Sequence, residues 1–433
     1  MRPRVVGAMA VALASLTGAC TSEGSVDDAD VVEIFGPWRG TDADRFAAVL
    51  VPFEAATGID VRYVGSIDFV ADLLARTGDR NDPPDVAVIP QPALVRELAA
   101  DDQILPLDPV TLDAVLADFG EEAAELGRID GLYFTVPFRV SVKSLVWFRP
   151  DVFADRGWVP PSTLDELDQL VASIQADGTI APWCLGINAG SATGWVATDW
   201  VEDLVLRSIG ADRYQRWVEG GIRFEETVIE NAFEQFRSLA LESGRVRGGR
   251  AAILSTRTSE AIAPLVADPP ECAMHRQADF AANWLPDGTS IGADGDVDVF
   301  VLPGTTERPP PLLIGGDQVV RFRRTSSIDA LMGYLASPEA AAIWAKQGGF
   351  LSLNQSVPDS AYPDDHLRGL TAAIGDAPSI VFDGSDQMPT EIGSDLLWER
   401  ITAWVAGVDD YDTFAAAIDA AFDELAANDG VGP

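Results

Sequence analysis

A chain of 433 residues is longer than one hydrophobic core usually supports, and its 47% of apolar residues is ordinary for a globular protein. The formal net charge of −38 excludes nucleic acid and anionic membrane surfaces as partners, because their phosphates would be repelled. A mean hydropathy of +0.09 argues against a protein with several membrane spans. We therefore expect a globular protein of two domains.

The first nineteen residues have the features of an export signal. Two arginines precede an apolar run over residues 5–19 that is too short to span a bilayer as a helix. The run ends in small residues before Cys20, which resembles a bacterial lipoprotein signal, although Thr17 stands where that signal usually has leucine. We expect residues 1–19 to be a signal peptide and Cys20 to carry lipid, with a plain secretory signal as the alternative. Residues 21–30 are polar and acidic and predict a flexible tether.

Strands and helices alternate in the first part of the mature chain. Each short apolar segment is followed by an amphipathic segment with a capping residue before it or a glycine after it. The predicted strands cover residues 31–36, 59–65 and 85–89, and the predicted helices run from Thr41 or Asp42 to Gly58, from Ser66 to Gly78, and onward from Pro92. This order predicts an α/β domain with a largely parallel sheet. Ligands bind such sheets at the carboxyl ends of the strands, where the sequence places Trp38, Arg39, Ser66, Asp68, Pro90 and Gln91.

A second α/β series follows a long β-rich run over residues 132–149, which is broken by Pro137 and is long enough to leave one domain and enter another. Thr163 and Glu166 have the spacing of a capping box and open a helix. The further elements are predicted helices near 197–209, 210–218, 227–243, 326–347 (restarting at Ser337–Pro338) and 395–427, predicted strands at 251–255 and 297–302, and a second crossing between domains at 308–320.

Residues 182–200 combine three tryptophans, Trp183, Trp195 and Trp200, with glycines and hydroxyl side chains. Aromatic rings offer flat apolar faces, while glycines and hydroxyls let the backbone approach a ligand and hydrogen-bond to it. This mixture suits a ligand with apolar faces and polar edges, such as a sugar ring. The alternative is that the tryptophans belong to the core.

The remaining cysteines are Cys184 and Cys272 once Cys20 is assigned to lipid. They form an even pair in a chain expected outside the cytoplasm, where disulfides are stable. We predict that the two are bridged. The bridge would tie residues 182–200 to the segment PECAMHRQ.

Several segments in a fixed order resemble one known family. They are FEAATGIDV, PPDVAVIPQP, LPLD, GLYFTVPFRVSVKSLVWF, PWCLGINAGSATGWVATDW, CAMHRQADF and FDGSDQMP. The chain is similar to extracellular solute-binding proteins of bacterial sugar ABC importers (family 1), and most similar to the α-glucoside-binding group. The first two segments are common to many binding proteins, whereas PWC…GWVATDW, HRQ and FDGSD-x-MP carry the sugar assignment.

The resemblance implies a two-lobed α/β fold of the maltose-binding-protein type with a ligand cleft between the lobes. Lobe 1 would comprise residues 31–138 and 314–376, and lobe 2 residues 142–310 and 380–433. The lobes would close on an α-glucoside or related oligosaccharide by hinge motion, and the closed form would be recognised by permease subunits in the membrane. The protein would be a monomer without cofactor, held by lipid on the outer face of the cytoplasmic membrane.

The same resemblance implies which side chains touch the ligand. Aromatic rings would stack on sugar C–H faces, carboxylates would accept hydroxyl hydrogen bonds, and Arg or Lys would donate them. The expected contacts are Trp38, Arg39, Ser66, Asp68 and Gln91 from lobe 1, Arg139, Ser141 and Lys143 at the hinge, and Thr193, Trp195, His275, Arg276, Asp383, Asp386 and Trp398 from lobe 2. Three alternatives stay open: Trp398 as a core residue, Arg276 as the partner of an acid, and Asp386 as a helix cap.

Other functions are weighed against this one. A secreted glycoside hydrolase needs two acids at a set distance, and with 68 acidic residues such a pair can always be nominated. A binding protein for a non-sugar polar solute is a further alternative.

Two segments match known motifs only in part. Residues 288–292 match G-x-S-x-G without the flanking strand and helix of a hydrolase. The aspartates of 294–298 open a calcium-loop pattern that lacks its later glycine and glutamate. Two histidines and no paired C-x-x-C argue against zinc. We expect no catalytic residues and no metal.

Overall fold

The computed structural model describes residues 31–78, 82–306 and 309–428. The expected signal peptide, the expected lipid site at Cys20 and the expected tether over residues 21–30 lie outside the described residues. None of the helices in the described ranges combines the length and the apolar character that a membrane crossing requires.

Within the described residues, twelve strands and sixteen α-helices alternate along the chain. The strands are β1 (Val31–Gly36), β2 (Asp60–Gly65), β3 (Val86–Ile89), β4 (Arg128–Ile129), β5 (Leu132–Tyr133), β6 (Val136–Val142), β7 (Leu145–Phe148), β8 (Ala181–Trp183), β9 (Cys272–Arg276), β10 (Asp298–Val301), β11 (Leu312–Arg321) and β12 (Ile380–Phe382). The helices are α1 (Thr41–Thr57), α2 (Phe69–Gly78), α3 (Pro92–Ala100), α4 (Pro109–Glu125), α5 (Pro150–Arg156), α6 (Leu164–Asp177), α7 (Trp195–Ile209), α8 (Ala211–Val218), α9 (Thr227–Phe236), α10 (Gly249–Ser255), α11 (Ser326–Leu335), α12 (Pro338–Ala345), α13 (Asp365–Asp376), α14 (Gly384–Gln387), α15 (Trp398–Ala406) and α16 (Tyr411–Asn428).

The first sheet has the strand order β12-β11-β3-β1-β2, with β6 also paired to β11. Strands β1, β2 and β3 are parallel, as the alternation of strands and helices predicts. The long strand β11 runs antiparallel to both β3 and β6. We call this sheet and its helices the first lobe. Its core includes Phe46, Val88, Phe138 and Trp344, all at most 1% exposed.

The second sheet has the order β10-β7-β9-β8 and is antiparallel except for the β8–β9 pair. Helices α5–α10, α15 and α16 contribute to the core around it, which we call the second lobe. Trp183 and Trp200 lie at its centre, completely shielded from solvent, with ring centroids 4.9 Å apart. The two tryptophans are therefore core residues.

Several local predictions are confirmed by the capping geometry. The Thr163 hydroxyl accepts a hydrogen bond from the Glu166 amide at the start of α6, and Ser337 caps α12 in the same way. Gly58 ends α1 with a φ of 74°, a left-handed conformation that glycine adopts without strain. These signals are local, so they were readable from the chain alone.

Two predicted elements are wrong. The segment at 251–255 was expected to be a strand, yet it is part of α10, because a five-residue apolar run carries no period that separates strand from helix. The single helix expected over 395–427 is broken at Gly407, which ends α15 with a φ of 75° before α16 begins.

Three segments of chain connect the lobes, and we call them the crossings. The first is Lys143–Ser144 between β6 and β7, the second lies between β10 and β11, and the third follows Phe382 at the end of β12. Strand β12 pairs with β11 in the first sheet, although the expected boundary assigned residues 380–382 to the second lobe. This three-residue strand has no periodic signal in the sequence.

Candidate ligand-binding site

A cavity of about 670 Å³ lies between the two lobes. One wall comes from the loops that follow β1, β2 and β3 and from the middle of β6 and β11. The other wall comes from the start of α7, the 3₁₀ turn over Asp279–Trp284, the segment after β12, and the start of α15. The carboxyl ends of the parallel strands therefore face the second lobe, as expected for an α/β sheet. We call this space the cleft.

Arg139 and Asp42 form an ion pair in the first-lobe wall, with 3.2 Å between Nη1 and Oδ2. Burial opposes the charge on Arg139, but Asp42 and Asp317 outweigh it and raise its pKa. Burial raises the pKa of Asp317 to about 6, although Arg139 and the indole of Trp38 act against the rise. The Trp38 Nε1 donates to Asp317 at 3.1 Å. This wall therefore offers both donors and acceptors.

Lys143 is the central cation at the base of the cleft. Its Nζ lies 3.0 Å from Asp199, contacts Asp383 closely, and lies 3.9 Å from Asp386. Burial alone would lower the pKa of Lys143, but the three carboxylates outweigh burial and hold that pKa well above its ordinary value. The ammonium also lies 5.6 Å from the ring centroid of Trp195. Lys143 is thus a fixed, fully charged donor beside an aromatic face.

Asp383 and Asp386 differ in role although they are three residues apart. Asp383 is the cap of α14, because its Oδ1 accepts from the Asp386 amide at 3.1 Å and from the Ser385 hydroxyl at 2.9 Å. Burial works to raise the pKa of Asp383, but the charge of Lys143 and side-chain hydrogen bonds with Asp199 and Glu202 lower it below its ordinary value. Burial and the neighbouring Asp383 raise the pKa of Asp386 to about 8. Asp386 is therefore not the cap, and within the described residues no hydrogen-bond donor reaches its carboxyl group.

The second-lobe wall is aromatic. Phe280 lies between Trp195 and Trp284, with centroid separations of 6.1 and 5.4 Å. Trp398 lines the cleft beside them, and its buried Nε1 has no hydrogen-bond partner among the described residues. These rings provide apolar faces opposite a wall of charged and hydroxyl groups.

Eleven of the fifteen expected contact residues line the cleft. They are Trp38, Arg39, Ser66, Gln91, Arg139, Ser141, Lys143, Trp195, Asp383, Asp386 and Trp398. Trp38 is only 5% exposed and packs against Phe46 and Trp344, so little of its ring is accessible from the cleft. The structure brings these residues together from segments up to 360 positions apart in the chain, from Trp38 to Trp398.

His275 and Arg276 do not line the cleft, contrary to expectation. Both are 1% exposed and lie in β9, which is covered on each edge by another strand. His275 Nδ1 lies 3.0 Å from the Cys184 carbonyl, and burial lowers its pKa to about 4. Arg276 bonds the Asp203 carboxylate at 2.9 Å, so its alternative as the partner of an acid is correct. These residues support the second lobe from within.

Thr193 and Asp68 lie outside the cleft as well. The Thr193 hydroxyl donates to the Gly190 carbonyl at 2.7 Å and closes its own turn, beside a neighbouring shallow depression. Asp68 is exposed in the turn before α2, where its amide donates to Ser66. Both serve local turn geometry.

Several residues of the cleft were not expected from the sequence. They are Pro37, Asp42, Ile67, Ala192, Phe280, Asn283, Trp284, Gly315, Gly316, Asp317 and Ser385. The adjacent glycines are a signal in the sequence, because glycines inside a strand mark a close approach of backbone or side chain. The structure gives the reason, since a Cβ on Gly316 would lie 2.5 Å from the Arg139 carbonyl and one on Gly315 would lie 2.8 Å from Lys143 Cε. The others needed the fold to bring them to the same cavity.

Cys184 and Cys272 lie next to each other, with Cα atoms 5.5 Å apart. Both are at most 3% exposed. This separation is within the range that a disulfide spans.

Residues 288–292, which match G-x-S-x-G, lie in an irregular segment between the 3₁₀ turn and β10. The carboxylate of Asp296 accepts hydrogen bonds from the amide and the hydroxyl of Ser290.

Comparison with known proteins gives a family. The family described as bacterial extracellular solute-binding protein matches residues 48–369, more than half of the chain. The alpha-glucosides-binding periplasmic protein AglE of Rhizobium meliloti is 35% identical over 402 residues, covering 90% of this chain and 87% of that protein. The osmoprotective compounds-binding protein GgtB of Synechocystis is 36% identical over 385 residues, covering 88% and 90%.

Solved structures show the same fold at low identity. A chitin oligosaccharide binding protein aligns with a TM-score of 0.78 at 18% identity, covering 92% of this chain and all of that one. Maltose-bound MalE3 of T. maritima aligns with a TM-score of 0.69, also at 18% identity and with the same coverage. Together with the two lobes and the cleft between them, the family match identifies the chain as a member of the bacterial extracellular solute-binding proteins.

Proposed function

We propose that the chain captures an α-glucoside or a related oligosaccharide in the cleft and delivers it to the permease of an ABC importer. The observation that carries the proposal is the composition of the two walls. Trp195, Phe280, Trp284 and Trp398 form an aromatic wall, and Arg39, Ser66, Gln91 and Arg139 face it from the first lobe. Sugars have apolar C–H faces and polar hydroxyl edges, so each wall matches one aspect of a pyranose ring.

Capture requires contacts from both lobes. A ligand shifts an open–closed equilibrium only by its difference in affinity for the two states. A sugar held between Trp195 and Arg139 touches both lobes in the closed state and loses one set of contacts in the open state. The similarity to AglE, named for binding α-glucosides, supports the choice of ligand.

A second ligand class is an osmoprotective compound. The similarity to GgtB, at 36% identity, favours it to the same degree as the similarity to AglE favours an α-glucoside. Both classes are small and rich in hydroxyl or other polar groups, so the cleft chemistry is compatible with either.

The test is a thermal unfolding screen followed by titration calorimetry. Maltose, trehalose and sucrose are compared with cellobiose, which differs from maltose only in the configuration of its linkage. A sugar at a hundred times its Kd stabilises the folded state by about 2.7 kcal/mol. We expect maltose or trehalose to raise the unfolding temperature and cellobiose to leave it unchanged. Stabilisation by none of the sugars, or by cellobiose alone, would contradict the α-glucoside assignment.

Two further parts of the proposal concern location and chemistry. We propose that Cys20 carries lipid, which keeps the protein at the outer face of the membrane beside its permease. Labelled palmitate should be incorporated into the native chain and not into the Cys20→Ser variant.

We also propose that the protein does not turn over its ligand, since the relatives named above are binding proteins. Release of nitrophenol from nitrophenyl α-glucoside would contradict this.

A further inference from the structure

Helix α7 presents one polar face to the crossings. Asp199, Glu202, Asp203 and Arg207 recur at spacings of three and four residues, which places them on the same side of the helix. All four are at most 7% exposed. The rest of α7 is embedded in the core of the second lobe through apolar residues such as Val196, Trp200 and Leu204. A buried row of titratable side chains on one helix therefore faces the junction of the lobes.

Glu202 holds the third crossing. Its Oε2 accepts a hydrogen bond from the Gly384 amide at 2.7 Å, and its Oε1 accepts from the Ser385 amide at 3.0 Å. The preceding amide, that of Asp383, donates to the Ile314 carbonyl of β11 at 2.8 Å. The backbone that presents Asp383 and Asp386 to the cleft is thus attached on one side to the first sheet and on the other side to Glu202.

Asp203 holds the first crossing. Its Oδ1 accepts from the Ser144 hydroxyl at 2.8 Å, and that hydroxyl accepts from the Leu313 amide at 2.9 Å. Arg207 holds the second crossing, because its Nε lies 3.0 Å from the carbonyl oxygens of both Leu302 and Pro303. Each of the three crossings is therefore bonded to the same helix.

Glu202 is costly to bury where it lies. Within the described residues its carboxyl group contacts the two amides, the Tyr214 hydroxyl at 3.4 Å and the Asp383 carboxyl group, and it forms no ion pair. Burial and the nearby Asp383 and Asp199 raise its pKa well above its ordinary value. A buried carboxyl group without a cation does not improve stability over an apolar side chain. The position of Glu202 is therefore explained by its hydrogen bonds to the third crossing and not by a gain in stability.

We propose that Glu202 and Asp203 are positioning residues for ligand capture. Neither lines the cleft, yet together they fix the segments that carry Lys143, Asp383 and Asp386, so that these groups keep one geometry while the first lobe moves. The inference rests on the proposed function, because it assigns a role within the same cleft.

The experiment compares Glu202→Gln with Asp419→Asn. Asp419, on α16, is 2% exposed and accepts from two consecutive amides, Phe224 at 2.8 Å and Glu225 at 3.0 Å. Each substitution keeps the size of the side chain and leaves one of the two amides without an acceptor. The control therefore matches the pair of amide hydrogen bonds at a place that does not touch a crossing, and it differs in that Asp419 also lies 3.5 Å from Nε of Arg223. Ser144→Ala, which removes only a hydroxyl at the first crossing, is the milder second variant.

Maltose and trehalose affinities are measured by calorimetry, and unfolding is measured without sugar. We expect Glu202→Gln to weaken affinity by about tenfold, Ser144→Ala by about threefold, and Asp419→Asn by less than about twofold. Asp419→Asn, which also loses its ion pair with Arg223, should lower the unfolding midpoint at least as much as Glu202→Gln. Equal affinities in Glu202→Gln, Ser144→Ala and the native chain would overturn the proposal.

A second readout does not need a ligand. Spin labels are attached to cysteines introduced at the exposed residues Asp44 on α1 and Asp212 on α8, with Cys20 replaced by serine. The distance distribution between the lobes should broaden in Glu202→Gln and stay as in the parent for Asp419→Asn. If the native chain binds neither sugar, the ligand assignment fails while this measurement still decides the positioning role. An unchanged distribution in Glu202→Gln would overturn it.

Discussion

The ammonium of Lys143 lies 3.0 Å from a carboxylate oxygen of Asp199, and both side chains are buried beneath the cleft. Lys143 belongs to the first crossing and Asp199 to α7, so the pair joins the hinge to the second lobe. The same ammonium contacts Asp383 of the third crossing. One cation therefore contacts two buried acids from separate parts of the chain, and its removal has consequences for stability as well as for binding.

Lys143→Met should lower the free energy of unfolding by about 3–5 kcal/mol, because Asp383 would be left buried without a cation and Asp199 would keep only Arg276, whose Nη1 lies 3.9 Å away. Urea unfolding without sugar measures the change. The control is Lys346→Met, at the other lysine of the chain, which is exposed. That substitution should change stability by less than about 0.5 kcal/mol. Equal effects of the two substitutions would show that Lys143 does not neutralise these acids.

Substitutions of Trp195 and Trp200 should change different properties, ligand binding in the first case and stability in the second. Trp195 is half-buried and lines the cleft, whereas Trp200 is completely buried against Trp183. We expect Trp195→Ala to abolish stabilisation by maltose at a cost of about 1 kcal/mol in the unliganded protein. Trp200→Ala should cost about 3–5 kcal/mol through the cavity that it leaves. A large loss of unliganded stability in Trp195→Ala would indicate a core residue instead.

Asp386→Asn should become increasingly stabilising as the pH rises. The pKa of Asp386 is raised to about 8 in the folded protein, so between its ordinary value of 3.8 and 8 the folded state keeps a proton that the unfolded state has released. Native stability therefore falls as the pH rises through this window, and asparagine does not titrate. Between pH 5 and pH 8 the variant should gain on the order of 4 kcal/mol relative to the native chain, at about 1.36 kcal/mol per pH unit.

Urea unfolding at several pH values measures this difference. Asp395→Asn is the matched control, since Asp395 is an exposed aspartate outside the cleft. Its stability relative to the native chain should not change over the same range. A constant difference between Asp386→Asn and the native chain from pH 5 to pH 8 would argue against a buried, protonated Asp386.

Cys184 and Cys272 should be bridged in the exported protein. They are separated by 88 positions, and closing a loop of that length in the unfolded chain stabilises the fold by about 3–5 kcal/mol. Peptide mapping without reductant should recover the linked pair. Replacing both cysteines by serine should lower stability by that amount, with no further effect of reductant. Recovery of two free thiols would contradict the prediction.

The local elements could be predicted because their signals lie within a few residues. Thr163 caps α6 and Gly58 ends α1 through bonds to neighbouring backbone groups. The strand expected at 251–255 failed for the opposite reason. A short apolar run adopts whichever conformation its surroundings favour, and there it forms α10.

The sequence alone determined the α/β class, the two lobes, the family and most of the cleft residues that follow strands. Only the tertiary structure decided which polar groups face the cleft. Arg139 forms its ion pair with Asp42, which lies 97 positions away in the chain. Asp317 lines the cleft because β11 lies antiparallel between β3 and β6. His275 and Arg276 have the same polar character and are nevertheless buried in β9. Burial depends on which distant segments cover a side chain, and that information is absent from the chain on either side of it.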